Sequence, residues 1–360
     1  MEKHRLSSCG VEVELDMPFP LKTNPLAQEA WPLTVQWVKT HSLVRDPKLL
    51  WYFENKLDYY WLSAYAFPTA DLPRLAQIND WMTFFYLVDL VLDDQVGDEH
   101  LKDVSEWLMA ALRGKLRDSA SAKEKALANL GRRIREGGYS SKEWLERFTG
   151  KVENYIKTCC NREFKARHHN KKVSSVEEYL PMRRATSGVR PSFELAGVLG
   201  LVNVPPTVLN RKELVALSDH ANDVITVFND LISLEKELAK GDTHNLVLII
   251  EEEAKAKQEA CSRAQAIQRT AQVHNKAISD FLKEQAKLEL KLTEREAKLK
   301  SELASGKASA SDSEDLKNIG TWTQSTIDGV RGYLDVLRCW MRSNMNWSIM
   351  SERYKSKSAA

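Results

Sequence analysis

Cysteine, glycine and proline are all scarce in this chain, and long apolar runs are missing. Five cysteines in 360 residues (Cys9, Cys159, Cys160, Cys261 and Cys339) are an odd number with no CxxC spacing. That excludes a disulfide framework and a thiolate zinc site, and reduced thiols in a cytoplasmic protein fit best. Fifteen glycines and eleven prolines argue against an all-β chain built on tight turns. No stretch of about 18 uninterrupted apolar residues is available to span a bilayer, so no membrane partner is expected. The first residues, MEKHRLSSCGVEVELD, carry acidic groups and no apolar run, which is not the pattern of a secretory signal. A surplus of one charge is also lacking: 52 basic against 50 acidic side chains leave +2. This gives no case for nucleic acid as the main partner. What is abundant is hydrophobic side chains, at 43%, and ten tryptophans. The length admits two domains or one large helical domain.

The most informative stretch is Asn229-Asp230-Leu231-Ile232-Ser233-Leu234-Glu235-Lys236-Glu237. Asn229, Ser233 and Glu237 stand at i, i+4 and i+8, so a helix aligns them on one face. An amide oxygen, a hydroxyl and a carboxylate in one stripe suit a hard cation such as Mg2+. The bland reading is a solvated polar face. A second acidic cluster lies upstream, after the run RLAQINDWMTFFYLVDLVLDD. Residues 72–92 read as a long helix, apolar nearly all round towards its C-terminal half, which predicts a central buried helix. Asp89, Asp93, Asp94 and Asp98 crowd its C-terminal end, where the helix dipole and mutual repulsion oppose them. Metal ions, or neighbouring Lys and Arg, would have to offset that charge.

Around these stretches the chain reads as follows. Residues 1–25 form an extended leader, with Pro18, Pro20 and Pro25 barring a regular helix there. A helical pattern begins at Leu26 with Trp31, Val35 and Val38, and Pro32 bends it; residues 48–65 are dense in aromatics. Residues 103–157 read as two helices broken at Gly137-Gly138, with an N-cap signature at Ser140 to Glu143. His168 and His169 are adjacent in a basic stretch, a poor spacing for a metal pair and a reasonable one for a surface loop. The helix approaching Arg183-Arg184 meets Thr186-Ser187-Gly188, which weakens its continuation. That break either lets an arginine point into a cavity or is an ordinary helix–loop–helix link. A helix from 212 to 240 carries the oxygen stripe and stops at Gly241-Asp242. Residues 251–315 read as a polar helical arm ending in a flexible linker, either a solvated insertion or an oligomer contact, which leaves a homodimer open. A last amphipathic helix over 316–347 holds Trp322, Tyr333, Leu337, Trp340 and Trp347, and 355–360 is expected to be disordered.

Five motifs then occur in one order: DDQVGD (Asp93 to Asp98), RRATSG (Arg183 to Gly188), NDLISLEKE (Asn229 to Glu237), HNLV (His244 to Val247) and WSIMSERY (Trp347 to Tyr354). With these the chain resembles a microbial-type class I terpene synthase, and residues 26–354 can be laid on that pattern. The resemblance implies an all-α fold, a single isoprenoid-synthase-type helical bundle around a central cavity. It implies three Mg2+ ions held between two helices and clamping an isoprenyl diphosphate. Asp93 and Asp98 would be ligands on one side, with Asp94 paired to an arginine; Asn229, Ser233 and Glu237 would be ligands on the other. Arg183 takes the place of the diphosphate sensor, and Lys236, Arg353 and Tyr354 bond the diphosphate on closure. Asp89 has no counterpart, and the effector position falls on Ser187 or Gly188.

The implied reaction is ionisation of a linear prenyl diphosphate, with fifteen-carbon farnesyl diphosphate the expected substrate, and cyclisation to a sesquiterpene hydrocarbon or alcohol. Ten- and twenty-carbon substrates are the alternatives. The carbocation needs a dry, aromatic pocket, for which Trp81, Phe84, Phe85, Phe193 and Trp340 are the candidate walls. A DxDD pattern is absent, so protonation-initiated cyclisation is not supported. A chain-elongating prenyltransferase would need a second aspartate-rich motif where Asn229 to Glu237 stands. A non-catalytic helical scaffold would leave both acidic clusters unexplained.

Overall fold

A helix that is apolar nearly all round towards its C-terminal half must be enclosed by others, and the run from Leu72 sets the architecture. The computed structural model describes residues 3–93, 98–159, 173, 175–305 and 319–354; the side chains of 88–104 and of Arg353 are outside the description. Helix α4 (Leu72–Asp93) starts where Asp71 accepts the Arg74 N–H at 3.1 Å, with Pro73 in its first turn. Leu75, Ile78 and Trp81 on it are wholly buried. It packs on α1 (Ala27–Thr40), on α3 (Tyr59–Ala66) and on α6 (Ala122–Glu136). Short α2 (Pro47–Lys56) stands between α1 and α3 in sequence, capped by Asp46.

The other half is built on α10 (Lys212–Lys240), where Leu214, Leu217, Ala221, Val224, Phe228 and Leu231 repeat at alternating three- and four-residue steps and are all buried. Gly241, at φ 73°, takes the left-handed cap that ends it, as the sequence leads one to expect. Two long helices flank α10: α12 (Arg263–Ala304) and α13 (Gln324–Met350). The bundle is completed by α5 (Asp98–Leu112), α7 (Lys142–Thr158), α8 (Val176–Thr186), α9 (Val189–Val198) and α11 (Leu246–Ala256).

Three expectations are corrected. The leader is not merely extended: Lys3–Ser8 (β1) and Val11–Asp16 (β2) pair antiparallel, with Leu6 opposite Val13. Its turn places Cys9 at φ 47° and Gly10 at φ 78°, the two left-handed residues that match a two-residue hairpin loop to strand twist. Residues 103–157, expected to hold two helices, contribute to three. Helix α6 starts at Ala122, where Ser121 and Glu124 form a reciprocal capping box.

The third correction concerns the polar arm. Most of α12 is a packed element, with Ile267, Thr270, His274, Ile278, Phe281, Leu288 and Leu292 buried along one stripe. The hairpin lies against it, bonded through Asn275, whose Nδ2 donates to the Glu14 carbonyl at 2.9 Å and whose Oδ1 accepts the Asp16 N–H at 2.8 Å. Residues 306–318, including most of the expected linker, and the tail 355–360 lie outside the described residues, as do His168 and His169.

Candidate active site

The break between α8 and α9 creates the first part of the site. Helix α8 ends at Thr186; Gly188, at φ 70°, turns the chain left-handed and α9 restarts at Val189. A side chain at Gly188 would be strained in that conformation. The interruption leaves backbone carbonyls to satisfy, and neighbours do so: Asn222 Nδ2 donates to the Arg184 carbonyl at 3.0 Å and Ser192 Oγ to that of Gly188 at 2.8 Å. Ser187 Oγ bonds Asn222 Oδ1 at 3.1 Å. Of the two arginines before the break, Arg184 is spent on Asp223, with two contacts of 2.6 Å. Arg183 turns the other way, into the cavity.

Asp230 on α10 holds Arg183 there. The carboxylate is fully buried and accepts from Arg183 Nη2 at 3.1 Å, from Tyr179 Oη at 2.8 Å and from the Leu246 N–H at 3.0 Å. Burial pushes its pKa up, and Arg183 opposes that rise. Burial also keeps the Tyr179 phenol protonated well above its ordinary range, so it remains a donor. Arg183 Nη2 then reaches Asn229 Oδ1 at 2.9 Å, and Asn229 Nδ2 donates to Tyr354 Oη at 2.9 Å. Lys236 lies over the Tyr354 ring at 6.0 Å. One chain of contacts therefore joins α8, α10 and the short turn Glu352–Tyr354.

The oxygen stripe forms as its spacing requires. Ser233 Oγ donates to the Asn229 carbonyl at 2.6 Å and keeps its lone pairs; Glu237 accepts from Asn245 Nδ2 at 2.8 Å. Burial, and secondly the Asp230 carboxylate, raise the Glu237 pKa. A cation bound here would offset both effects. Three oxygen donors of different type, one of them a carboxylate short of counter-charge, fit a hard divalent ion. Among the described residues no group of three His, Cys, Asp or Glu converges by itself. Asp89, Asp93, Asp94 and Asp98, expected on the facing helix, have side chains outside the described residues, as does Arg353.

Arg183, Asn229, Lys236, Glu237 and Tyr354 line one cavity, with Ser187 and Gly188 on its wall. Of the expected aromatic walls, Phe85 and Trp340 border it. Trp81, Phe84 and Phe193 are buried outside its lining: Trp81 stands 5.6 Å from Phe85 and Phe193 6.2 Å from Trp340, centroid to centroid, so both brace the rings that face the cavity. Tyr86, Tyr155 and Asn344 also border it and escaped sequence reading. So did Tyr179 and Asp230, although Tyr179 precedes Arg183 by one helical turn and Asp230 adjoins Asn229, which was the available signal.

The chain is similar to known proteins in sequence and in fold. Residues 80–280 match the family described as "Terpene synthase family 2, C-terminal metal binding". Pentalenene synthase of Streptomyces exfoliatus is 31% identical over 252 residues, spanning 67% of this chain and 71% of the relative. A (+)-T-muurolol synthase of Roseiflexus castenholzii, named as cyclising (2E,6E)-farnesyl diphosphate, is 27% identical over 94% of this chain and 92% of its own. The crystal structure of an α-eudesmol synthase shares the fold at a TM-score of 0.75 and 20% identity, covering 94% of this chain and 99% of that one. No helix among the described residues is long and apolar enough to cross a membrane. An all-α bundle, a divalent-metal family match and a relative of this similarity leave no room for a non-catalytic scaffold: the chain belongs to the microbial class I terpene synthases, lyases that act on prenyl diphosphates.

Proposed function

We propose that this enzyme ionises farnesyl diphosphate with the help of Mg2+ and cyclises the resulting carbocation to a sesquiterpene. The observation that carries the reading is the contact chain from Arg183 through Asn229 to Tyr354 at the mouth of an aromatic-walled cavity. Asn229, Ser233 and Glu237 would hold metal on one side and Asp93 and Asp98 on the other, with Asp94 paired to an arginine; three ions is the number the family pattern implies. When bound, the ions neutralise charge on the departing diphosphate.

The chain's own groups do the rest. Arg183, pinned by Asp230, presents a fixed guanidinium where negative charge develops, so no reorganisation is needed as the bond breaks. Lys236, Arg353 and Tyr354 add donors around the same anion. Phe85 and Trp340 offer ring faces to the cation and keep water from it. Asn229 to Glu237 is not a second aspartate-rich motif, which disfavours chain elongation. The fifteen-carbon substrate follows from the (+)-T-muurolol synthase relative.

The test is incubation of the purified protein and Mg2+ with ten-, fifteen- and twenty-carbon prenyl diphosphates, reading diphosphate release and product masses. Preferred turnover of the fifteen-carbon substrate to a cyclic product is expected. Release from none of them, or lengthened chains on adding a five-carbon acceptor, would overturn the reading.

A further inference from the structure

Helix α2 has one face that no described residue covers. Its Leu50 and Phe53 turn inward, and Phe53 is only 3% exposed. On the other side Leu49, Trp51 and Tyr52 are 63%, 56% and 40% exposed. Lys48, Tyr52 and Lys56 stand at i, i+4 and i+8, so they share one stripe, with Leu49 and Trp51 on its two flanks. Arg45, Lys48 and Lys56 are exposed, and none of them is in an ion pair among the described residues. The acidic groups of the helix are engaged elsewhere: Glu54 pairs with Lys39 at 2.6 Å, and Asp46 accepts the Leu49 N–H at 2.8 Å. This face adjoins the cavity mouth. Phe53 lies 6.4 Å from Tyr59, centroid to centroid, and Tyr59 stacks at 4.3 Å on Tyr86, which borders the cavity. The Asp58 carbonyl, just past α2, accepts from Trp347 Nε1 at 3.2 Å, so the end of α13 meets α2 there. Ile349 and Met350, ahead of the Glu352–Tyr354 turn, are exposed as well.

We propose that this face of α2 docks on an anionic lipid bilayer, with the cavity mouth beside the contact. An interfacial helix needs apolar and aromatic side chains to enter the headgroup region and basic ones to meet the lipid charge. Trp51 and Tyr52 suit that depth, each with an apolar ring and a polar edge. The long stems of Lys48 and Lys56 can follow the apolar side chains down while their ammonium groups stay at the charged layer. Lying on a bilayer requires no spanning helix, and a basic patch this small is hidden in a net charge of +2. A second copy of the chain fits the face less well. A symmetric contact would set Lys48 and Lys56 against their own copies, with no acidic group of the helix left to meet them. The docking itself is independent of the reaction. Its use rests on the proposed function: the fifteen-carbon tail of the substrate partitions into a bilayer, and a mouth held there receives it without passage through water.

The experiment sediments the purified full chain, without substrate, with vesicles of phosphatidylcholine alone or mixed equally with phosphatidylglycerol, at low and high salt. The protein should pellet with the mixed vesicles at low salt and be released from them at high salt. Lys48→Gln combined with Lys56→Gln should weaken this binding about thirtyfold, the loss of two basic groups at an anionic surface. Leu49→Ser combined with Trp51→Ser should weaken it at least about tenfold, through lost apolar burial. All four side chains are exposed, so Tm and diphosphate release from dissolved substrate should stay close to wild type in both variants. No pelleting with the mixed vesicles, or undiminished binding by the double variants, would overturn the proposal. So would a wild-type dimer in sedimentation velocity that Leu49→Ser with Trp51→Ser dissociates, since a second copy would then cover the face. Diphosphate release without vesicle binding overturns the docking and leaves the proposed function standing. Vesicle binding without diphosphate release does the reverse.

Discussion

Replacing Asp230 by asparagine removes the charge that holds Arg183 in the cavity. The carboxylate is 1% exposed and the guanidinium 14%, so neither group can turn to water for compensation. Deleting one partner of such a pair leaves the other uncompensated, which typically costs about 3–5 kcal/mol. The amide also cannot reproduce the acceptor pattern. Tyr179 Oη and the Leu246 N–H both donate to one carboxylate oxygen, and Arg183 to the other. The NH2 group of the Asp230→Asn variant must therefore meet a donor on whichever side it points. Asparagine keeps one acceptor, so the lower end, about 3 kcal/mol, is expected for stability. In a chain of this size that lowers Tm by several degrees.

The catalytic effect should be larger in proportion, because a guanidinium displaced by about 1 Å from the developing charge forfeits on the order of a hundredfold in rate. The assay pairs thermal unfolding with steady-state diphosphate release at saturating Mg2+. Tm should fall, and kcat/KM should fall about a hundredfold, mostly through kcat. A variant with Tm within a degree of wild type and kcat/KM within about twofold would refute the claim that Asp230 positions Arg183.

Glu237→Ala should abolish turnover at any Mg2+ concentration while circular dichroism stays helical; near-normal rates would dismiss the metal assignment. Tyr354→Phe loses the bond from Asn229 Nδ2 at 2.9 Å, so kcat/KM should drop about tenfold, and an unchanged value would remove Tyr354 from the mouth's function. Asp80 supplies a pH test away from the site: burial pushes its carboxyl up from 3.8 to about 6, against the opposing effect of Arg133. The raised folded-state value means Asp80 contributes stability below about pH 4 that is lost as pH rises to about 6. The stability of the wild type should therefore fall relative to Asp80→Asn across that window by on the order of 1–3 kcal/mol, read as a fall in Tm. Parallel Tm profiles for the two proteins would contradict it.

Local spacing made half of the site readable. Asn229, Ser233 and Glu237 share a face because a helix repeats every 3.6 residues, whatever surrounds it. The break at Thr186-Ser187-Gly188 and the stop at Gly241 were readable for the same reason. Composition misled where a narrow stripe carried the packing. In α12, Lys and Glu dominate the count, yet a single line from Ile267 to Leu292 suffices to bury the helix against α10. The Cys9-Gly10 turn is hidden from a sequence reading by the prolines after it, which suggest only an extended run.

By itself, then, the amino-acid order determined the helices, their ends and the row of oxygen donors, since these depend on neighbours within a few residues. Only the tertiary structure decided which arginine enters the cavity, which aromatic residues border it, and that Asp230 holds that arginine in place. Each of those outcomes depends on which partner packing brings within about 3 Å of a side chain, and the partners here come from helices far apart in the chain.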